Sequence, residues 1–77
     1  MKLYIYSLEN IVYEGDADVI TLPAQDGEIS VLENHIPLVS ALKKGEVRVK
    51  NGSNVQQFPI TGGFAEIKPK KTILLVD

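Results

Sequence analysis

Short apolar runs, each bounded by turn-forming residues, recur along the whole chain. Glycine, asparagine, aspartate and proline interrupt the sequence about every ten residues, a spacing typical of short β-strands. The runs between them are rich in valine, isoleucine, leucine and tyrosine, which favour strands. The pattern predicts nine strands: Lys2–Tyr6, Asn10–Glu14, Ala17–Pro23, Glu28–Leu32, Pro37–Leu42, Glu46–Lys50, Val55–Ile60, Phe64–Lys68 and Thr72–Val76.

Strict alternation is clearest in the sixth run. Val47 and Val49 fall on one face and three charged residues on the other, as in a strand with one face in water. Asn51-Gly52, which follows, is a strong signal for a two-residue hairpin. In the eighth run Ala65 and Ile67 alternate with charged residues, which puts Phe64 on the polar face. Phe64 is either folded under a neighbouring loop or presented to a partner.

Two runs are apolar on both faces, Val19–Leu22 and Ile73–Val76, as expected of strands covered on both sides. Two sheets packed face to face would provide that cover. The predicted fold is therefore all-β: a compact antiparallel β-sandwich, or flattened barrel, of about nine to ten short strands in one domain, residues 1–77. One helix candidate remains, Ile36–Lys44, with Asn34 as a possible cap and Pro37 in the first turn.

Composition narrows the function classes. The 77 residues are 44% hydrophobic and 23% charged, with net charge −2, no cysteine and one histidine. Disulfides and a structural metal are excluded by the lack of ligands, and we expect no cofactor. No transmembrane or signal-peptide pattern is present, so we expect the chain to stay in the compartment that makes it.

The charge is unevenly placed along the chain. Residues 1–34 carry one lysine and seven acidic residues, whereas residues 35–77 carry seven basic and three acidic residues. Such segregation suggests an electrostatically two-sided molecule. It is either an ordinary solvated surface or a guide for docking between charged partners.

No catalytic pattern stands out. Asp16 and Asp18 share a strand face, but the acidic residues sit mostly in turns. His35 has Ser7 and Ser40 as possible nucleophiles, yet no nucleophile elbow surrounds either serine. The Gly62-Gly63 pair lacks the lysine of a phosphate-binding loop, and more simply allows a bend or a close backbone approach. Basic residues interleaved with aromatics are also missing, so nucleic-acid binding is not expected. Partner binding is the function class left.

Several motifs, taken in their order along the chain, resemble those of the epsilon subunits of F-type ATP synthases. The resemblance covers nearly the whole chain and is carried by these segments: Val12-Tyr13-Glu14-Gly15, Val19-Ile20-Thr21-Leu22-Pro23, Asp26-Gly27-Glu28-Ile29, Asn34-His35-Ile36-Pro37-Leu38, Gly62-Gly63-Phe64 and Ile73-Leu74-Leu75.

The resemblance implies a noncatalytic rotor subunit in the central stalk, which binds the gamma subunit and the c ring and couples proton flow to ATP synthesis. It implies c-ring contact by Asp26, Gly27 and Glu28. It also implies gamma-subunit contact by Ser7, His35 and Ser40. The implied location is peripheral, on the cytoplasmic face of the bacterial inner membrane or the equivalent face of an organelle membrane.

The chain departs from the family at three places. Ser30 stands where relatives commonly have glycine, and Glu33 where many have proline, which puts the conformation of this loop in doubt. Relatives usually continue into two inhibitory C-terminal helices, whereas this sequence ends at Asp77, so we expect coupling without that inhibition. The alternative is a biotinyl or lipoyl carrier domain, with its modified lysine at Lys43 or Lys44 near mid-chain, although the usual flanking residues are missing. Another partner-binding β module also stays open.

Overall fold

Nine strands make up the fold, and the computed structural model describes residues 1–77. Every predicted strand is confirmed, with ends that move by one or two residues. They are β1 (Lys2–Tyr6), β2 (Ile11–Asp16), β3 (Val19–Ala24), β4 (Gly27–Val31), β5 (Leu38–Leu42), β6 (Gly45–Asn51), β7 (Asn54–Ile60), β8 (Gly63–Ile67) and β9 (Lys71–Val76).

One curled sheet contains all nine strands. Its order is β2-β1-β9-β8-β5-β3-β6-β7, with β4 paired to β3 beside this path. The sheet folds over itself as a sandwich, which confirms the predicted all-β architecture. The end strands β2 and β7 meet through side chains, since the Tyr13 and Phe58 rings lie 5.7 Å apart edge to face. This contact helps to close the sandwich.

One pairing differs from the antiparallel expectation. β1 and β9 run parallel, from Lys2 opposite Lys71 to Tyr6 opposite Leu75. Parallel neighbours need a long connection, and here almost the entire chain lies between the two strands. No turn signal marks such a pairing, so the local pattern gave no sign of it.

The core lies between the two inward faces of the curled sheet. Alternate residues of the strands point into it and are buried, as in Val47 and Val49 of β6, opposite exposed Glu46 and Arg48. The buried cluster is Leu3, Ile5, Ala17, Ile20, Leu22, Val31, Leu42, Val47, Val49, Ile60, Ala65, Ile67, Leu74 and Val76. The hairpin predicted at Asn51-Gly52 is confirmed, but Asn51 pairs with Asn54 at the end of β6, and the two turn residues are Gly52, at φ 64°, and Ser53.

The helix candidate over Ile36–Lys44 is wrong, and the strand predicted at Pro37–Leu42 is confirmed. Residues Leu38–Leu42 form β5, which pairs with β8 along its whole length. A nine-residue helix is marginal by itself, and Val39 is β-branched, so pairing with β8 decides the conformation.

The expectation that Ile73–Val76 is covered on both faces is also wrong. Leu74 and Val76 point inward and are buried, but Leu75 is 57% exposed. The outward face of β9 is therefore apolar and open.

The two charged halves of the sequence do not form two sides of the molecule. The sheet interleaves them, because β9 lies beside β1 and β6 beside β3. Two ion pairs join the acidic half to the basic half, Arg48 with Glu28 and Lys70 with Glu33, both at 3.1 Å. The structure contains no helix of the length and apolarity needed to cross a membrane.

Candidate docking surface

Four adjacent strands, β5, β8, β9 and β1, present an apolar surface on the outside of the sandwich. Their inward faces contribute Leu42, Ala65, Leu74 and Ile5 to the core, so the alternate residues point outward. We call this surface the outer face; it consists of Val39, Ala41, Phe64, Glu66, Ile73, Leu75, Tyr4 and Tyr6. Val39 is 70% exposed and Phe64 61%. Contiguous exposed apolar side chains of this kind are typical of interaction sites.

Strand register aligns the outer-face residues in rows. Phe64 lies opposite Leu75, and Leu75 opposite Tyr6, across three neighbouring strands. A shallow depression of about 240 Å³ lies between Val39, Phe64 and Leu75. Phe64 is thus presented to solvent, and the alternative that it folds under a loop is wrong.

Gly63 allows β8 to lie this close to β9. A Cβ on Gly63 would stand 2.2 Å from the carbonyl oxygen of Leu75, and its φ of 147° is also rare for other residues. The close backbone approach inferred from Gly62-Gly63 is confirmed at this position. As a result, Phe64 and Leu75 form one continuous apolar surface.

Tyrosines form the other side of the outer face. The rings of Tyr4 and Tyr6 stack with centroids 6.0 Å apart. The Tyr6 hydroxyl donates a hydrogen bond to Glu14 Oε2 at 3.0 Å. Partial desolvation, followed by that hydrogen bond and the Glu14 charge, raises the pKa of the Tyr6 phenol. Tyr6 therefore remains a neutral hydrogen-bond donor at the polar rim of the face.

The residues predicted to contact a gamma subunit do not form one cluster. Ser7 follows β1 in a turn, where its Oγ accepts from the Asn10 amide at 3.2 Å. His35 lies in the β4–β5 loop, with Nδ1 2.7 Å from the Ile36 carbonyl oxygen. Ser40 lies opposite buried Ala65, so its side chain is on the side of the sheet away from the outer face.

Ser7 and His35 lie near opposite ends of the outer face. Ser7 follows Tyr6, which pairs with Leu75 near the end of β9. His35 is next to Asn34, whose amide donates to the Pro69 carbonyl at 2.7 Å, just before β9 starts. A strand of five residues spans roughly 17 Å, so one protein partner can cover both.

The residues predicted to contact a c ring lie on the β3–β4 hairpin. Asp26 is exposed in the two-residue turn, and Gly27 opens β4 at φ 133°. Glu28 lies within β4 rather than in the turn, and its Oε2 accepts from Arg48 at 3.1 Å. No sequence pattern predicts this pair, since the two residues are twenty positions apart and their strands are neighbours of β3 on opposite sides.

The outer face is not predicted as a surface by the sequence. Two features of the sequence nevertheless point to it: Phe64 falls on the polar face of its strand, and Ile73 and Leu75 are apolar residues on one face of theirs. The pattern predicts burial for Ile73 and Leu75, because a strand covered on both faces and a strand with one open apolar face have the same pattern.

The polar residues considered for catalysis have structural contacts. Asp16 pairs with Lys2 at 3.1 Å, and Asp18 Oδ2 accepts from the Gly52 amide at 2.7 Å. No group of three or more histidine, cysteine, aspartate or glutamate side chains is arranged to hold a metal ion. Both carboxylates are therefore engaged in contacts within the fold.

The carrier-domain alternative is not supported. A carrier lysine lies at the tip of a hairpin, whereas Lys43 and Lys44 link two strands, β5 and β6, that do not pair with each other. The Lys43 amide instead donates to the Pro23 carbonyl at 2.9 Å.

Comparison with known families gives one match over the entire chain. Residues 1–77 match the model of the ATP synthase delta/epsilon chain, beta-sandwich domain. The ATP synthase epsilon chain of Halalkalibacterium halodurans is 42% identical over 66 residues, which is 86% of this chain and 50% of that protein. The epsilon chain of Alkalihalophilus pseudofirmus is 34% identical over 77 residues, 100% of this chain and 58% of that protein. The chain thus spans about half the length of these relatives.

Solved structures give the same fold. A chain in the Euglena gracilis mitochondrial ATP synthase structure, described as OSCP/F1/c-ring, superposes with a TM-score of 0.89 at 25% identity, over 96% of this chain and 48% of that one. A chain of the Tetrahymena thermophila mitochondrial ATP synthase central stalk and c ring superposes with a TM-score of 0.83 at 15% identity, over 97% and 61%. The second match concerns the fold alone.

Proposed function

Since the chain belongs to the family of ATP synthase delta/epsilon-chain beta-sandwich domains, we propose that it is a noncatalytic central-stalk subunit. In this role it binds the gamma subunit and the c ring and couples proton flow to ATP synthesis. It sits peripherally, at the cytoplasmic face of a bacterial inner membrane or the equivalent face of an organelle membrane.

The exposed outer face carries this proposal. Protein interfaces place desolvated aromatic and aliphatic side chains at the centre and polar groups at the rim. Phe64, Leu75 and Val39 have the character of such a centre, and Tyr6 with its hydroxyl has that of a rim. Ser7 and His35 extend the contact at the two ends of the strands. We assign the outer face to gamma.

The size of the outer face supports the inclusion of Ser7 and His35 in the gamma contact. Four strands about 4.8 Å apart and five residues long give a patch of roughly 300 Å². A stable interface buries about 800 Å² on each partner. The apolar patch is therefore the centre of the gamma contact, and the surrounding loops supply the rest. Ser40, on the other side of β5, contributes only if gamma also reaches round the edge of that strand.

The end of the β3–β4 hairpin, with Asp26, Gly27 and Glu28, is assigned to the c ring. It carries two exposed carboxylates, Asp26 in the turn and Glu28 near the start of β4. Exposed acidic groups on a short, stiff hairpin can contact the basic groups of a passing ring without deep burial.

Leu75→Ser tests the gamma assignment. The side chain is already 57% exposed, so the fold should persist, while gamma affinity should fall by about 1–3 kcal/mol because an apolar contact at the interface centre is lost. Isothermal titration with purified gamma measures the change.

Val55→Ser is the matched control, because Val55 is 61% exposed but lies on β7, away from the outer face. Equal affinities for native chain, Leu75→Ser and Val55→Ser would refute the gamma assignment.

A further inference from the structure

A groove of about 430 Å³ separates the tip of the β3–β4 hairpin from β5. Its charged lining residues are Asp26 and Glu28, and no lysine or arginine lines it. Leu38, Val39 and Ser40 form the opposite wall. The groove lies beside the outer face, and Val39 borders both.

One edge of β5 faces this groove without a strand partner for most of its length. The opposite edge pairs with β8 from Leu38 to Leu42. On the groove side, Leu42 alone is paired, with Ala24 at the end of β3. Two hydrogen bonds flank that bridge, from Gln25 N–H to the Ala41 carbonyl at 3.0 Å and from Lys43 N–H to the Pro23 carbonyl at 2.9 Å.

The alternation of backbone groups identifies which ones are free. In an antiparallel pair, successive residues direct their N–H and C=O alternately toward and away from the partner strand. The Ala41 carbonyl points away from β8, toward Gln25, so Val39 points its N–H and C=O the same way. These two groups and the Ala41 N–H therefore form an open row along the groove.

The other free edges of the sheet carry features that discourage pairing. β7 contains Pro59, which has no N–H, β2 carries Glu14 and Asp16, and β4, which pairs with β3 alone, carries Glu28. Charges and prolines of this kind protect edge strands from adding another strand. The β5 edge from Leu38 to Ala41 has neither.

We propose that this edge binds an extended segment of a partner protein as an additional β-strand, with a lysine or arginine of that segment at Asp26. Main-chain hydrogen bonds to Val39 and Ala41 supply the pairing, the mode used by peptide-binding domains that extend a sheet. Charge complementarity selects the basic side chain, because Glu28 is paired with Arg48 whereas Asp26 has no ion pair. The site shares Asp26 with the proposed c-ring contact, whereas its backbone groups on β5 do not require the side-chain contacts assigned to the outer face.

A synthetic peptide tests the proposal on the native chain. The probe is acetyl-Thr-Lys-Val-Thr-Val-Lys-Thr-amide, compared with a copy methylated on alternate backbone nitrogens and a copy with glutamate in place of both lysines. Backbone amide NMR spectra should show shifts and slowed hydrogen exchange at Val39 and Ala41. We expect each altered peptide to bind about tenfold more weakly, corresponding to about 1.4 kcal/mol. The glutamate copy should regain part of its deficit at high salt.

Two variants at Val39 test its backbone N–H separately from its side chain. Val39→Pro removes the N–H that faces the groove and leaves the β8 pairing intact, since proline is tolerated on the open side of an edge. Val39→Ala removes the same apolar side chain but keeps the N–H, and should retain binding. Absence of shifts at β5, or equal binding of the N-methylated peptide, would overturn the proposal whether or not Val39→Pro folds.

Discussion

Gly63 is the residue on which the spacing of β8 and β9 depends most directly. Gly63→Ala would force a Cβ to 2.2 Å from the Leu75 carbonyl oxygen. We expect a loss of about 3 kcal/mol or more in the free energy of unfolding, through backbone strain and displacement of β9. Urea unfolding measures the loss.

Gly27→Ala separates the cost of backbone strain from the cost of displacing β9. Gly27 has a similar φ of 133°, but a Cβ there would meet nothing within 4 Å. Backbone strain alone should cost about 1–3 kcal/mol. If Gly63→Ala and Gly27→Ala lowered the free energy of unfolding equally, the close approach of Gly63 to β9 would make no contribution to stability.

The stability of the fold depends on pH through the carboxyl group of Glu33. Its Oε2 accepts from Lys70 Nζ at 3.1 Å, and its Oε1 lies 4.0 Å from the N-terminal ammonium. The Lys70 hydrogen bond, and then the two positive charges, hold the pKa of the Glu33 carboxyl below its usual value. A lowered folded-state pKa stabilises the fold above the unfolded-state pKa, and this stabilisation is lost as the pH falls through the folded-state value.

Glu33→Gln should therefore lower the Tm at neutral pH and have a shrinking effect as the solution is acidified. Thermal unfolding followed by circular dichroism across the acidic range tests this. Glu9→Gln, at an exposed acid without an ion pair, is the control and should show no such convergence. A Glu33→Gln difference that is constant with pH would contradict the linkage.

At the scale of a single element, β9 shows how adjacent residues of one strand serve different purposes. Leu74 is fully buried, whereas Leu75 is 57% exposed. Leu74→Ala should cost about 2–5 kcal/mol of stability, because it leaves a cavity in the core. Leu75→Ala should change stability by only about 0.5 kcal/mol. Chemical denaturation of both variants makes the comparison, and similar losses would mean that the outer face is not solvent-exposed in the isolated chain.

The strands were predictable from sequence, but several of their partners were not. Local alternation and turn residues, as at Val47, Val49 and Gly52, determine where strands begin and end. The β5–β8 and β1–β9 pairings join strands that are far apart in the sequence, so neither pairing has a local signature. The candidate site was partly predictable for the same reason: the Asp26 turn is local, whereas the outer face exists only once four strands are adjacent.

At the scale of the whole molecule, coupling should depend on the charge at Glu28. Glu28→Lys removes the exposed ion pair between Glu28 and Arg48. The isolated domain should therefore lose only about 0.2–1 kcal/mol of stability. In reconstituted vesicles, ATP-driven proton pumping should weaken, more strongly at low salt because screening is smaller. Glu46→Lys makes the same charge change at an exposed position of β6 and should pump normally. Normal pumping by Glu28→Lys at every ionic strength would remove this residue from the c-ring contact.

The parallel pairing of β1 with β9 has a consequence for how the protein is made. During translation β1 precedes the other eight strands, and its parallel neighbour β9 follows all of them. Until then, β1 and β8 each expose an edge that β9 will later occupy. Native contacts of such long sequence separation are slow to form, with folding in about milliseconds to seconds for β-proteins of this kind. β9 is therefore the strand that completes the sheet, and nascent chains are most exposed to aggregation just before it is translated.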